Sequence, residues 1–194
     1  EDGTVSVAGW SVSDDGKRVA YGLSESGSDW TTWHVMDVDT GRVLEDEIRW
    51  VKFSWASWAP DGSGFYYSRY AAPEDGEELK DTNLNQKAYF HVVGTPQSED
   101  RLVYERPDHP KWGFGVGVTE DERYQIISVW EGAGSKNGFF YRDLGKGEDG
   151  RVVELFNEFD ARYSLVANDG STFYFVTDLD APKKRLIAVD VENP

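Results

Sequence analysis

The stretch Ser57-Trp58-Ala59-Pro60-Asp61-Gly62-Ser63-Gly64-Phe65-Tyr66-Tyr67 sets an apolar run against an aromatic run across an Asp-Gly corner. Asp-Gly suits a tight hairpin, because Gly accepts positive φ without a Cβ clash and the Asp side chain bonds the turn backbone. The phrase returns as Trp10-Ser11-Val12-Ser13-Asp14-Asp15-Gly16-Lys17-Arg18-Val19-Ala20-Tyr21, as Val116-Gly117-Val118-Thr119-Glu120-Asp121-Glu122-Arg123-Tyr124-Gln125-Ile126-Ile127, and as Leu165-Val166-Ala167-Asn168-Asp169-Gly170-Ser171-Thr172-Phe173-Tyr174-Phe175. The turn aspartates Asp15, Asp61, Asp121 and Asp169 stand 46, 60 and 48 residues apart. A hairpin phrase copied at such an interval marks a repeat array, in which each copy buries its apolar face by stacking on its neighbours.

The period decides the kind of array. Repeats of about 45 residues with all-β patterning belong to four-stranded propeller blades, and the 3.6-residue apolar spacing of helical repeats is absent. The expected fold is therefore an all-β propeller, with about three complete four-stranded blades and most of a fourth, at about 5–50, 51–110, 111–160 and 161–194. Strands are expected at 5–12, 18–23, 32–37 and 42–45 in the first, and at 53–59, 64–70, 87–93 and 100–105 in the second. The third holds 113–118, 124–130, 138–142 and 151–156, and the fourth 163–167, 172–177 and 185–190. The longest interval is explained by an acidic insertion at 71–82, too polar to be a strand. Such a set does not close a typical ring, so the chain is expected to be a piece of a longer polypeptide; the lack of an initiator Met fits that expectation.

Composition removes several functions. A net charge of -16 repels nucleic acid and anionic membrane while leaving cationic partners open. Surface solubility is the blander use of the same charge. With no cysteine there is neither a disulfide nor a thiolate metal site. No run of 18 apolar residues occurs and no secretory signal opens the segment, so a cytoplasmic location is expected. Eight Trp, ten Tyr and ten Phe fit short aromatic strands joined by tight turns.

There is no G-x-S-x-G elbow: Ser63 lies in a hairpin turn, and Ser135 has the wrong glycine spacing. His34, His91 and His109 show no metal-ligand spacing, so no cofactor or metal is expected. Asp37-Val38-Asp39-Thr40-Gly41 opens like a calcium loop but lacks the later ligands and reads as a turn. Ser13-Asp14-Asp15-Gly16-Lys17 has some likeness to the Asp-box of sialidase propellers, without the consistent aromatic that box requires. Ser24-Glu25-Ser26-Gly27-Ser28-Asp29-Trp30 reads either as a solvated loop or as an acid presented on one face of a ring, where an arginine of another domain could pair with it.

Several segments together resemble the N-terminal propeller of prolyl oligopeptidase, a serine peptidase family that cuts short peptides after proline. They are Asp2-Gly3-Thr4-Val5, Tyr21 to Trp30, Val51-Lys52-Phe53-Ser54, Thr82 to Lys87, Tyr89 to Thr95, Gln97-Ser98-Glu99-Asp100 and Pro110-Lys111-Trp112. They run in family order along essentially the whole chain. The resemblance implies a segment of a seven-bladed ring that caps an α/β-hydrolase domain, with the catalytic triad outside this chain. It implies that Asp29 pairs with an arginine of that domain, and that Phe53 lines an apolar subsite beyond the proline. Gly113 and Ala133 stand where relatives carry larger residues on the same wall, so the subsite would be wider here. The insertion at 72–82 would match a mobile gating loop. The implied partners are the hydrolase domain of the same polypeptide and short proline-containing peptides. A free-standing interaction scaffold is the alternative from another class.

Overall fold

The computed structural model describes residues 4–74 and 83–193. Most of the expected acidic insertion, at 75–82, lies outside the described residues. The chain divides into two compact units, 1–115 and 116–194.

In the first unit, β1 (Val5–Val12), β2 (Arg18–Glu25), β3 (Thr31–Asp37) and β4 (Val43–Val51) pair antiparallel in sequence order. β5 (Ser57–Trp58), β6 (Gly64–Arg69), β7 (Lys87–Val92) and β8 (Arg101–Tyr104) follow, and the pair Val51 with Arg69 joins the two groups into one sheet. Side-chain alternation decides which face is buried: Trp33 and Val35 of β3 point inward, as do Ala20 of β2 and Ile48 of β4. They meet Trp58, Phe65 and Tyr67 of the next group in a single core. Each large apolar side chain among them contributes about 1.5–3 kcal/mol by leaving water.

The second unit follows the same plan. β9 (Trp112–Val118), which crosses the boundary between the units, forms a four-stranded sheet with β10 (Tyr124–Glu131), β11 (Gly138–Asp143) and β12 (Val152–Phe156). β13 (Tyr163–Asp169), β14 (Thr172–Thr177) and β15 (Arg185–Asp190) make a three-stranded sheet. Tyr124, Phe139, Tyr141, Phe173 and Phe175 form the core.

The repeated corner has one chemistry in its first three copies. Asp15, Asp61 and Asp121 each accept the backbone N–H two residues on, at 3.0, 2.9 and 3.2 Å. Those bonds hold all three carboxyls below the ordinary range. Ser63 is the largest cause at Asp61 and the Lys17 N–H at Asp15, while at Asp121 burial opposes the bonds from Thr119 and Arg123 and is outweighed. The fourth copy differs, since Asp169 pairs with Thr172 and the two-residue turn is Gly170-Ser171.

One expected strand needs correction. The run 53–59 is extended and paired only at Ser57–Trp58, while β4 continues to Val51. The cause is backbone conformation: Trp50, at φ 63°, sits where the pairing of β4 with β3 shifts register, and Phe53, at φ 55°, lies just past Val51, where pairing stops.

Candidate functional site

The segment 50–54 is held in its irregular path from four directions. The Trp50 carbonyl accepts the Tyr70 N–H at 3.1 Å, and Val51 pairs with Arg69. The Lys52 carbonyl accepts Gln86 Nε2 at 2.9 Å, and Ser54 Oγ accepts the Ser68 N–H at 2.7 Å. With its backbone so fixed, Phe53 is turned outward and stands 55% exposed. A bulky residue in the left-handed region costs about 1–2 kcal/mol, and such outliers persist only where their surroundings over-determine them.

A cation stands beside it and joins it to a cluster of three aromatic rings. Trp30 meets Trp50 and Tyr70 edge to face, with centroids 5.8 and 6.1 Å apart. Lys52 Nζ lies 4.7 Å from the Trp30 ring and 5.8 Å from the Phe53 ring, and donates to Asn83 Oδ1 at 3.3 Å. The ammonium thus ties the loop that bears Asp29 to the segment that bears Phe53. Burial pushes the Tyr70 phenol up, so it remains a neutral donor.

Asp29 is exposed at the end of the β2–β3 loop. Local bonds shape that loop: Ser24 Oγ donates to the Ser28 carbonyl, the Trp30 N–H donates to Ser28 Oγ at 3.1 Å, and the Ser26 N–H donates to the Thr4 carbonyl at 2.6 Å. A carboxylate presented in this way is free to meet an incoming cation. Gly113 is buried in β9. Its neighbour Phe114 donates its N–H to Gln86 Oε1 at 2.7 Å, so Gln86 links β9 to Lys52 with one side chain. Ala133, in the second unit, is exposed in the turn between β10 and β11. The first unit therefore brings Asp29, Phe53 and Gly113 into one connected neighbourhood, and Ala133 belongs to the other unit.

Sequence reading did not single out Lys52, Trp50, Tyr70 or Gln86. Trp50 and Lys52 flank Val51 in the same short run as Phe53, and that spacing was the available signal; Gln86 gave none, since its role depends on contacts 34 and 28 residues away.

The three histidines are engaged elsewhere. The His34 ring lies 5.6 Å from that of Tyr21, His109 stacks on Trp112 at 3.8 Å, and His91 has both ring nitrogens against carboxylates. None is hydrogen-bonded to a serine hydroxyl among the described residues, and no cluster there is arranged to hold a metal ion. No described helix is long and apolar enough to cross a membrane.

Comparison with known proteins identifies the family of the chain. The family model for the prolyl oligopeptidase N-terminal β-propeller domain matches residues 1–194. Prolyl oligopeptidase A of Amanita bisporigera is 39% identical over all of this chain, which covers 28% of that relative's length. Prolyl endopeptidase of Elizabethkingia meningoseptica is 38% identical, again over the whole chain and 27% of the relative. Among solved structures, prolyl oligopeptidase B of Galerina marginata bound to a 35mer hydrolysis and macrocyclization substrate superposes with a TM-score of 0.86 at 32% identity, covering 99% of this chain and 28% of that one. Oligopeptidase B of Leishmania major, at 19% identity and a TM-score of 0.71, shares the fold. The chain thus spans just over a quarter of the length of the curated relatives it matches. It belongs to the prolyl oligopeptidase N-terminal β-propeller family.

Proposed function

We propose that this chain shapes and guards the substrate passage of a prolyl oligopeptidase-type serine endopeptidase. Bond cleavage then falls to an α/β-hydrolase domain of the same polypeptide, acting on short peptides after proline in the cytoplasm. The four strand groups, about 5–50, 51–110, 111–160 and 161–194, serve as blades around that passage. The observation that carries this reading is Phe53: an aromatic ring held outward on a left-handed backbone, with the Lys52 ammonium between it and Trp30, within a chain matched end to end by the family.

In this reading Phe53 is an apolar wall for the residue upstream of proline, with Gly113 and Ala133 leaving that wall wide. Asp29 pairs with a substrate-holding arginine of the hydrolase domain. The net charge of -16 raises the local concentration of cationic peptides at low salt. The test uses the full-length peptidase that carries this segment. Phe53→Ala lowers kcat/KM for proline reporter peptides with an apolar upstream residue by about 1–3 kcal/mol of transition-state binding, and leaves peptides with upstream glycine nearly unchanged. Equal kcat/KM for both classes in the variant and the parent would reject the subsite. A full-length protein that neither cleaves such peptides nor reacts with an active-site serine reagent would favour the scaffold reading instead.

A further inference from the structure

A fully buried polar cluster among the described residues lies away from Phe53, where Asp46 of β4 meets His91 of β7. His91 of β7 has no exposed side-chain surface, nor do Asp46 of β4 and Asp100 just before β8. His91 Nδ1 is 2.7 Å from Asp100 Oδ1, and His91 Nε2 is 2.9 Å from Asp46 Oδ1. Carboxylate oxygens accept and do not donate, whereas a neutral imidazole carries one N–H and one lone pair. With one proton on the ring and both acids ionised, one of the two short contacts would set a lone pair against an anion in a dry interior; a second proton placed on an acid rather than on the ring would leave one ring nitrogen bare. Both contacts are attractive together when both nitrogens carry protons.

The remaining neighbours donate to the two acids, and Asp46 Oδ2 is buried without a partner among the described residues. Asp100 Oδ2 accepts the Tyr67 hydroxyl at 2.5 Å, and Asp46 Oδ1 accepts the Gly94 N–H at 2.6 Å. The groups facing His91 are Asp46 from β4, Asp100 from the β8 corner, and the Phe65 ring of β6 at 5.3 Å. Tyr67 of β6 reaches the imidazole only through Asp100, and the cation Arg69 acts on Tyr67. Tyr67 is pushed up by burial first and by Asp100 second, which keeps it a donor. Burial alone pulls His91 down; the hydrogen bonds and charges of Asp100 and Asp46 outweigh it, and the net direction is up.

We propose that His91 is held as a buried imidazolium that staples β4 to β7 and to the corner preceding β8. The bonds continue from Tyr67 to Gln97 Nε2 at 3.2 Å, and the Gln97 amide accepts the Arg49 N–H at 3.1 Å and donates to the Arg49 carbonyl at 3.0 Å. The ring of bonds that leaves β4 at Asp46 thus returns to it at Arg49, one residue before the strained Trp50. The staple fixes the start of segment 50–53 whatever that segment binds. Because the folded value of His91 is raised above the ordinary 6.5, the stabilisation is complete below about pH 6.5 and is lost as pH rises through the folded value.

The test is nitrogen NMR on the intact protein with labelled histidine, the His91 signal being assigned by its loss in His91→Gln and its displacement in Asp100→Asn. At about pH 7.5 both His91 nitrogens resonate as protonated, with two slowly exchanging N–H protons. In Asp100→Asn the hydrogen-exchange protection of the Gly94 and Arg49 amides falls by about tenfold or more. A bare-nitrogen shift for His91 at that pH overturns the imidazolium, and unchanged protection in Asp100→Asn overturns the staple. Should His91→Gln fail to fold, the displacement of a single histidine signal by Asp100→Asn and by Asp46→Asn supplies the assignment.

Discussion

The two units join consecutive strand groups by different means. In the first, the apolar core around Trp33, Phe65 and Tyr67 shares the junction with a fully buried chain of charges, Asp46, His91 and Asp100. In the second, rings do nearly all of it. Tyr124 and Phe139 meet Phe173 and Phe175 edge to face at 4.9 and 4.8 Å, and Phe156 stacks on Tyr163 at 3.9 Å. The polar groups there are auxiliary: Asn137 bonds the Tyr163 backbone at both its N–H and its carbonyl, and the Tyr141 hydroxyl donates to the Val191 carbonyl at 2.8 Å. A ring junction draws its strength from area and shape and has no proton to lose. A charge junction demands every partner and a fixed protonation state, in exchange for a register that slips only by stranding a charge.

The largest expected effect is on the ring side. Phe173 is completely buried and touches Tyr124, Phe139, Tyr141 and Phe175, so Phe173→Ala lowers unfolding stability by about 3–5 kcal/mol. The loss is the same at pH 6 and at about pH 9, because burial raises Tyr124 and Tyr141 and pushes Tyr163 up to about 12, leaving no phenol to titrate in that interval. Urea unfolding at both pH values checks this. A pH-dependent loss would show that the second junction also rests on charge.

Next in size is the charged junction. Asp100→Asn costs about 1.5–3 kcal/mol at pH 6, where the parent His91 is protonated. The difference narrows as pH rises through the raised His91 value, since the parent then loses its own ion pair. A penalty constant from pH 6 to about pH 9 would mean that the aspartate is needed only as a hydrogen-bond acceptor for Tyr67.

Which of this could be read from residues alone follows the range of the interactions. Hairpin strands were legible because alternation and the Asp-Gly corner are local; the observed β2, β3, β10, β11 and β14 lie within two residues of the expected bounds. The run from Phe53 to Ala59 is also rich in apolar residues, yet Trp50 and Phe53 are turned by bonds from Tyr70, Gln86 and Ser68, all more than ten residues distant. The same holds for the site. Phe53 and Asp29 were named through a resemblance, whereas Lys52 and Gln86 matter through partners that no window of sequence shows. His91 stood in a strand with no signature, because its two acids come from 45 and 9 residues away.

The smallest effect compares the corners of the two units. Gly16 and Gly62 in the first take φ of 72° and 66°, while Glu122 in the second takes 59° at the matching place. The match is exact in bonding: the N–H of Gly16, Gly62 and Glu122 each donates three residues back, to Ser13, Ala59 and Thr119, at 2.8, 2.9 and 2.8 Å. Glu122 therefore bears a left-handed penalty of about 1–2 kcal/mol that its counterparts avoid. Glu122→Gly relieves it but gives the unfolded chain more freedom, which offsets about 0.4–1 kcal/mol. The net expectation is a gain of about 0.5 kcal/mol, read as a small rise in Tm, and a loss for the reverse change Gly62→Glu. Since the Glu122 side chain is exposed, no packing change accompanies the substitution. A lower Tm for Glu122→Gly would mean that the glutamate makes up its backbone strain through its charge, and that the two corners are not equivalent.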